Sequence, residues 1–175
     1  MKKLYYDGAN PTVDLIILNH ENKILLIKRG ANVEACPSMW ALPGGFVDSM
    51  PQINSDIKYF IDGAETPEQA AIREVKEETN LSLGDVSILP VGVYEGNQRD
   101  PRDTQDSWSK SHAFFYKIPQ DVYESQKENV RGLDDAEDVA WVSVEKLKDM
   151  NLAFDHNVII KDCLALYLSK KPKIK

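Results

Sequence analysis

GAETPEQAAIREVKEETNL, residues 63–81, decides the reading, together with its forerunner WALPGGFVD at residues 40–48. Thr66 is an N-cap residue, Pro67 suits the first helical position, and Gln69 completes a T-x-x-Q capping box. The spacing therefore predicts a helix over 67–79. At about 100° per residue, Ala71, Ile72, Val75 and Thr79 fall on one side and face the core. Glu74, Glu77 and Glu78 fall in an adjoining arc roughly 100° wide, with small Ala70 between them. Glu74 and Glu78 are like charges four residues apart, which costs a helix about 0.2–0.5 kcal/mol. Arg73 precedes Glu77 in the weaker orientation and offsets only part of this. A cluster that repels itself calls for a cation, and hard carboxylate oxygens suit Mg²⁺ or Mn²⁺. Read alone, REVKEE also fits a solvated helix face.

The whole string narrows that choice. Gly45, Glu65 and the run Arg73-Glu74-Val75-Lys76-Glu77-Glu78-Thr79-Asn80-Leu81 resemble the Nudix box, G-x5-E-x7-R-E-U-x-E-E-x-G-U with U apolar. One departure is Asn80, where the family has Gly; Asn tolerates positive φ, so a helix C-cap survives. The other is length: 19 residues separate Gly45 from Glu65 where the pattern has five, an insertion of 14 around SMPQINSDIKYFI. With GGFVD and GAE kept on either side, residues 49–61 read as a surface excursion between two intact halves.

A chain of 175 residues is long enough for one domain with a substantial core, residues 171–175 being a tail. The net charge of −7 argues against a nucleic-acid partner and leaves anionic substrates dependent on metal or local Arg and Lys. No apolar h-region follows Met1-Lys2-Lys3, and no run approaches a membrane span, so neither signal peptide nor membrane is expected. Cys36 and Cys163 show no metal-ligand spacing and read as free thiols of a reducing cytoplasm.

Residues 12–18 (TVDLIIL) and 23–28 (KILLIK) read as a hairpin across Asn19-His20-Glu21-Asn22. A short strand is expected at 40–42 before Pro43-Gly44-Gly45, then strands at 86–94, 112–118 and 139–142. A brief helix is expected at 143–149, and apolar spacing at 159, 160, 163, 164, 167 and 168 predicts a last helix over 156–169. Strands interleaved with two principal helices make the class α/β. The resemblance implies the Nudix fold, a mixed β-sheet sandwiched between α-helices.

Three further stretches, Arg99-Asp100-Pro101-Arg102, Gly132-Leu133-Asp134-Asp135-Ala136 and Leu152-Ala153-Phe154-Asp155-His156, look like the bacterial ADP-ribose pyrophosphatase branch and its relatives, which include ADP-ribose-sensing regulators. Each has a plainer reading: a Pro turn, a DDA turn, and a helix start with Asp155 as cap and Phe154 packing. The resemblance implies Glu74, Glu77 and Glu78 as metal ligands, joined by the Gly44 carbonyl. It also implies an Arg73–Glu65 ion pair that holds the helix against the Gly-rich loop. The general base stays open among a box glutamate, Asp100, Asp103, Asp106 and, behind them, Glu95 or Glu137. Arg99 and Arg102, with Asp100, are the candidates for phosphate or terminal ribose, since a guanidinium fork matches such oxygens. An adenine slot would draw on Tyr5, Phe46, Trp108 or Phe154, whereas His20, His112 and His156 read as ordinary surface or packing residues. The expected activity is Mg²⁺- or Mn²⁺-dependent hydrolysis of ADP-ribose to AMP and ribose 5-phosphate. Another nucleoside diphosphate derivative or a nucleoside triphosphate is the alternative substrate, and a non-catalytic ADP-ribose-binding module the alternative class. Homodimerisation is a further expectation taken from the family.

Overall fold

The computed structural model describes residues 4–48, 65–96 and 98–168. Its elements run β1 (Gly8–Leu18), β2 (Lys23–Arg29), β3 (Trp40–Ala41), β4 (Gly44–Phe46), α1 (Pro67–Thr79), β5 (Leu89–Glu95), β6 (Ser107–Lys117), α2 (Gln120–Gln126), β7 (Ala136–Ser143), α3 (Val144–Leu147) and α4 (His156–Tyr167). The strands join in one mixed sheet of order β3-β2-β1-β6-β5, with β4 added to β1 and β7 to β2. Central β1 runs parallel to β6 from Gly8↔Ser107 to Leu18↔Lys117, whereas the other pairings are antiparallel. The expected mixed sheet between helices is what forms.

Alternation along the strands explains the continuous apolar runs. Val13, Leu15 and Ile17 of β1, Leu25 of β2 and Phe114 of β6 pack with Ala70, Ala71 and Val75 of α1. Ile16 and Leu18, Ile24 and Leu26, and Ala113 and Phe115 turn the other way, onto Ile159, Ile160 and Cys163 of α4. A strand covered on both faces has no place for an alternating polar residue. Asp14 breaks that rule, and its parity points it toward the α4 side. Burial of the Cys163 thiol on that side pushes it up to about 12.

Helix α1 has the expected ends: Thr66 accepts from the Gln69 N–H, the Gln69 side chain returns the bond, and Asn80 sits left-handed at φ 60°. Ala70 is more deeply placed than expected, fully buried with Ala71 and Val75, while Ile72 packs half-buried at the edge. Burying Val75 alone contributes about 1.5–3 kcal/mol, which outweighs the like-charge penalty between Glu74 and Glu78. Packing therefore holds the acidic helix in place.

Several elements differ from expectation. The Gly-rich segment is strand rather than turn: Gly44–Phe46 pairs with β1 through Asp14↔Gly44, Val13↔Gly45 and Thr12↔Phe46. Helix α2 follows Pro119 and is absent from the sequence reading. The last helix ends at Tyr167, and the predicted excursion at 49–61 lies outside the described residues. Along one edge β1 changes partner. Thr12–Asp14 bond to β4, the Leu15 N–H donates to the Pro43 carbonyl at 3.0 Å, and Leu18 pairs with Ile24 of β2. The cleft described below opens where β1 changes hands.

Candidate functional site

A cleft of about 280 Å³ is lined by Asp14, Arg29, Gly44, Gly45, Phe46 and the three acids Glu74, Glu77 and Glu78, among others. Helix α1 turns Glu74 and Glu78 toward the β4 strand, whereas Glu77 stays exposed at the cleft mouth. Glu78 is 3% exposed and accepts from the Gly44 N–H at 2.9 Å. A solvated helix face is thereby ruled out for this acid. The glycines are set by space. A Cβ on Gly44 would sit 2.0 Å from the Val13 carbonyl oxygen, and one on Gly45 would sit 2.5 Å from Glu74 Oε1.

Arg73 organises the acids around it. Its Nε meets Glu65 Oε1 at 2.8 Å and Nη2 meets Glu65 Oε2 at 3.0 Å, the bidentate pair expected from the sequence. Nη2 also donates to the Phe46 carbonyl, and Nη1 to Glu74 Oε1 and Glu77 Oε2, each at 2.9 Å. Glu65 in turn accepts from the Asp48 N–H. Burial works to raise the Glu65 carboxyl, but Arg73 and that N–H hold it below its ordinary value. With all its N–H groups engaged inside the protein, this guanidinium has none left for a ligand.

The two inner acids lean the other way. Burial pushes the Glu74 carboxyl up to about 7 against the pull of Arg73, with Glu77 and Asp48 adding repulsion. Burial raises Glu78 well above its ordinary value, against the Gly44 N–H, with Glu74 adding to the rise. Neighbouring carboxylates that resist ionisation mark a place where a cation would be stabilising. Among the described residues, no three His, Cys, Asp or Glu side chains surround a common point that would hold a metal ion. Glu74 and Glu77 face Arg73 instead, so gathering all three acids on one ion requires them to turn from it.

The RDPR arginines are committed to carboxylates. Arg99, its side chain 7% exposed, binds Asp155 at 2.6 and 2.9 Å and Ser109 Oγ at 3.1 Å. Asp155 occupies the N-cap position of α4 but makes no side-chain cap bond. The expected cap is thus corrected, because a two-point charge-assisted pair outcompetes a backbone N–H. Arg102 forks onto Asp100 at 2.7 and 2.9 Å and lies over the Phe46 ring at 5.3 Å. Tyr5 meets that ring edge-on at 4.8 Å. Of the aromatic candidates, Tyr5, Phe46 and Phe154 line the cleft, whereas Trp108 lines a separate cavity and donates to Glu95. Asp100 also lines the cleft. Asp103 accepts from Ser109 N–H, and Glu95 and Glu137 pair with Lys110 and Lys28; these three and Asp106 lie outside the cleft lining.

Asp14, Arg29, Asp134, Asp135 and His156 line the cleft and escaped the sequence reading of the site. Arg29 ends β2 with its guanidinium 5.2 Å above the Phe154 ring and its Nε on the Ala35 carbonyl. Burial, with Arg102 repelling it, holds Arg29 below its ordinary value, and no partner for its two Nη groups occurs among the described residues. The DDA turn forms, but it brings Asp134 and Asp135 to the cleft. His156, expected as ordinary, is 2% exposed; its Nε2 lies 3.0 Å from Asp14 Oδ1, and its Nδ1 accepts the Leu42 N–H at 2.9 Å. Ser111 Oγ donates to Asp14 as well. Burial works to raise Asp14, but His156, Arg99 and Ser111 hold it low, so it stays ionised. The available signal was Asp14 itself, a carboxylate inside an otherwise doubly buried strand. His20 and His112 fit the ordinary reading, His20 resting edge-on against Tyr123.

Known proteins resemble this chain in sequence and in fold. The model of the NUDIX domain matches residues 8–163. The ADP-ribose pyrophosphatase of Methanocaldococcus jannaschii is 37% identical over 147 residues, 83% of this chain and 68% of its own length. The ADPR responsive transcriptional repressor NtrR of Acinetobacter baylyi is 29% identical over 168 residues, 94% of this chain but 56% of its own length. Among solved structures, the NUDIX domain of Shewanella oneidensis NrtR complexed with ADP ribose aligns with a TM-score of 0.68 at 22% identity. That alignment covers 92% of this chain and 90% of the other, a likeness of fold. No helix among the described residues is long and apolar enough to cross a membrane.

Proposed function

The chain belongs to the NUDIX domain family, and we propose that it is a divalent-metal-dependent pyrophosphohydrolase converting ADP-ribose to AMP and ribose 5-phosphate. One observation carries the reading. Glu74 and Glu78, the second fully buried and both resistant to ionisation, face a cleft that also holds Arg29, whose Nη groups have no partner among the described residues. Acids that need a cation and a cation that needs an anion together suit a metal-bound diphosphate. The 37% identity to an ADP-ribose pyrophosphatase supports the substrate.

Glu74, Glu77 and Glu78, with the Gly44 carbonyl, are the groups that would hold Mg²⁺ or Mn²⁺; the hard-oxygen donor set fits either ion. When bound, such an ion neutralises phosphate charge and lowers the pKa of coordinated water. The chain's own residues supply position. The Glu65–Arg73 pair and the Arg73 bond to Phe46 fix α1 against β4, so the acids meet the Gly44–Gly45 backbone without a Cβ between them. Catalysis by Arg73 and Glu65 is therefore indirect in this reading. Among the described residues, Arg29 Nη1 and Nη2 and Arg102 Nη1 carry no hydrogen bond and are the donors this reading assigns to phosphate oxygens, while Arg99 serves the cleft wall. Phe46, flanked by Tyr5 and covered by Arg102, offers the flat apolar surface for adenine, with Asp100 held beside it. The reading takes the cytoplasm as compartment, a homodimer as assembly and no nucleic-acid partner, each open to fractionation, sizing and DNA-binding assays.

A panel of ADP-ribose, NADH, sugar nucleotides, diadenosine polyphosphates and triphosphates, incubated with Mg²⁺ or Mn²⁺, tests the proposal. AMP should appear fastest from ADP-ribose, and Glu78→Gln should lower turnover by orders of magnitude with little change in Tm. Cleavage of a triphosphate but not ADP-ribose would overturn the substrate. ADP-ribose binding without turnover would favour a sensor, the reading that the likeness to an ADPR responsive repressor keeps in view.

A further inference from the structure

We propose that His156 is a positioning residue for the metal site, acting on it through the backbone of residues 42–44. The inference rests on the reading of Glu78 as a metal ligand. His156 opens α4, and strand parity turns Asp14 of β1 toward it. Because Nδ1 accepts the Leu42 N–H, the ring proton sits on Nε2 and is donated to Asp14. Asp14 is itself fixed by Ser111 and flanked by Arg99, whose Nη2 is 3.9 Å away. The imidazole is thus locked at both nitrogens, and its orientation is set by an ionised, buried carboxylate.

What the ring holds is the short segment between β3 and β4. The Ala153 N–H binds the Trp40 carbonyl at 2.8 Å, and the Leu15 N–H binds the Pro43 carbonyl at 3.0 Å. Of the hydrogen bonds described for residues 40–43, the Leu42–His156 bond uses a side chain; these two use backbone alone. Two residues later the Gly44 N–H meets Glu78 Oε2 at 2.9 Å. Gly44 packs so closely on β1 that a Cβ there would sit 2.0 Å from the Val13 carbonyl oxygen and 3.1 Å from the Asp14 α-carbon. Asp14, His156 and Leu42 therefore aim the Gly44 peptide at Glu78 in the way that outer partners orient the groups bound directly to a metal. None of these three needs to touch substrate.

Mn²⁺ binding to metal-free protein, read by the electron paramagnetic resonance of free Mn²⁺, tests this beside Tm, kcat and KM. His156→Ala should weaken Mn²⁺ binding about 10- to 100-fold and lower kcat with KM for ADP-ribose little changed. His156→Gln, whose amide can accept from Leu42 and donate to Asp14, should recover most of both. Mn²⁺ binding by His156→Ala equal to the unaltered protein, with only Tm reduced, overturns the inference; so does a Gln variant no better than Ala. Glu78→Gln separates the two readings. If it binds Mn²⁺ like the unaltered protein, the metal site itself is misplaced and the proposed function falls. If it loses binding while His156→Ala keeps it, only the positioning role falls. Should His156→Ala not fold, Mg²⁺ titration of the unaltered protein decides. Saturation should shift the Leu42 amide and His156 ring nitrogen resonances together with Gly44, and their constancy would overturn the inference.

Discussion

Replacing Glu74 by Gln should remove a pH dependence of stability from the metal-free protein. Burial pushes this carboxyl from 4.5 to about 7, a preference for the neutral form of roughly 3 kcal/mol. Glu77, Asp48 and Glu78 surround it with like charge, and Arg73 is its counter-ion. Between pH 4.5 and about 7 the folded state keeps a proton that the unfolded chain has released. Stability from this group is therefore present in full below about 4.5 and is lost as pH rises through 7. Gln is neutral throughout and can still accept from Arg73 Nη1. Urea unfolding in chelator at pH 5, 6, 7 and 8 should show the two proteins within about 1 kcal/mol of each other at pH 5. At pH 8, Glu74→Gln should be more stable by up to about 3 kcal/mol. Glu78, also raised, leaves a shallower slope of the same sign in the variant. Added Mn²⁺ should reverse the trend in the unaltered protein, because an ion binds the ionised form. Equal pH slopes for the two proteins would refute the account of a buried, proton-holding cation site.

Two further substitutions separate fold from chemistry. Gly44→Ala drives a Cβ into the Val13 carbonyl, a backbone atom with nowhere to go, and should lower stability by about 1–3 kcal/mol or more in chemical denaturation. Gly45→Ala meets instead the movable Glu74 carboxylate, so Tm should change little while metal binding and turnover fall. Arg29→Met should raise KM for ADP-ribose while leaving Mn²⁺ binding to the metal-free protein near normal, as read by titration. A weaker Mn²⁺ site with unchanged KM would remove Arg29 from substrate binding.

The helix at 67–79 was legible in the chain down to its caps, because Thr66, Pro67, Gln69 and Asn80 act on backbone groups within a turn of themselves. The Glu65–Arg73 pair, which the family resemblance implied, is bonded in the fold. The apolar runs of β1, β2 and β6 foretold buried strands, although not which residues would face α1 and which α4. Gly44 was read as a turn because a glycine pair suggests one; the lack of space beside Val13 makes it a strand. The roles of Arg99 and Asp155 were equally out of reach. An arginine near an aspartate 56 positions away in sequence has no local signature, and only their meeting decides that each satisfies the other.

Asp14, Arg29 and His156 show the division most clearly. Sequence by itself determined the acidic helix and the family pattern that it shares with the glycine pair before it. Those features depend on spacing along one element, where a fixed rise and turn convert residue number into direction. Only the tertiary structure decided which carboxylate each arginine meets and which carboxylates stay ionised. Those properties depend on burial and on partners drawn from distant strands, and no periodicity records either. Alternation along β1 puts Asp14 on one of two faces, and only the fold discloses that α4 covers that face. The packing of α4 against that face supplied His156 to pair with Asp14.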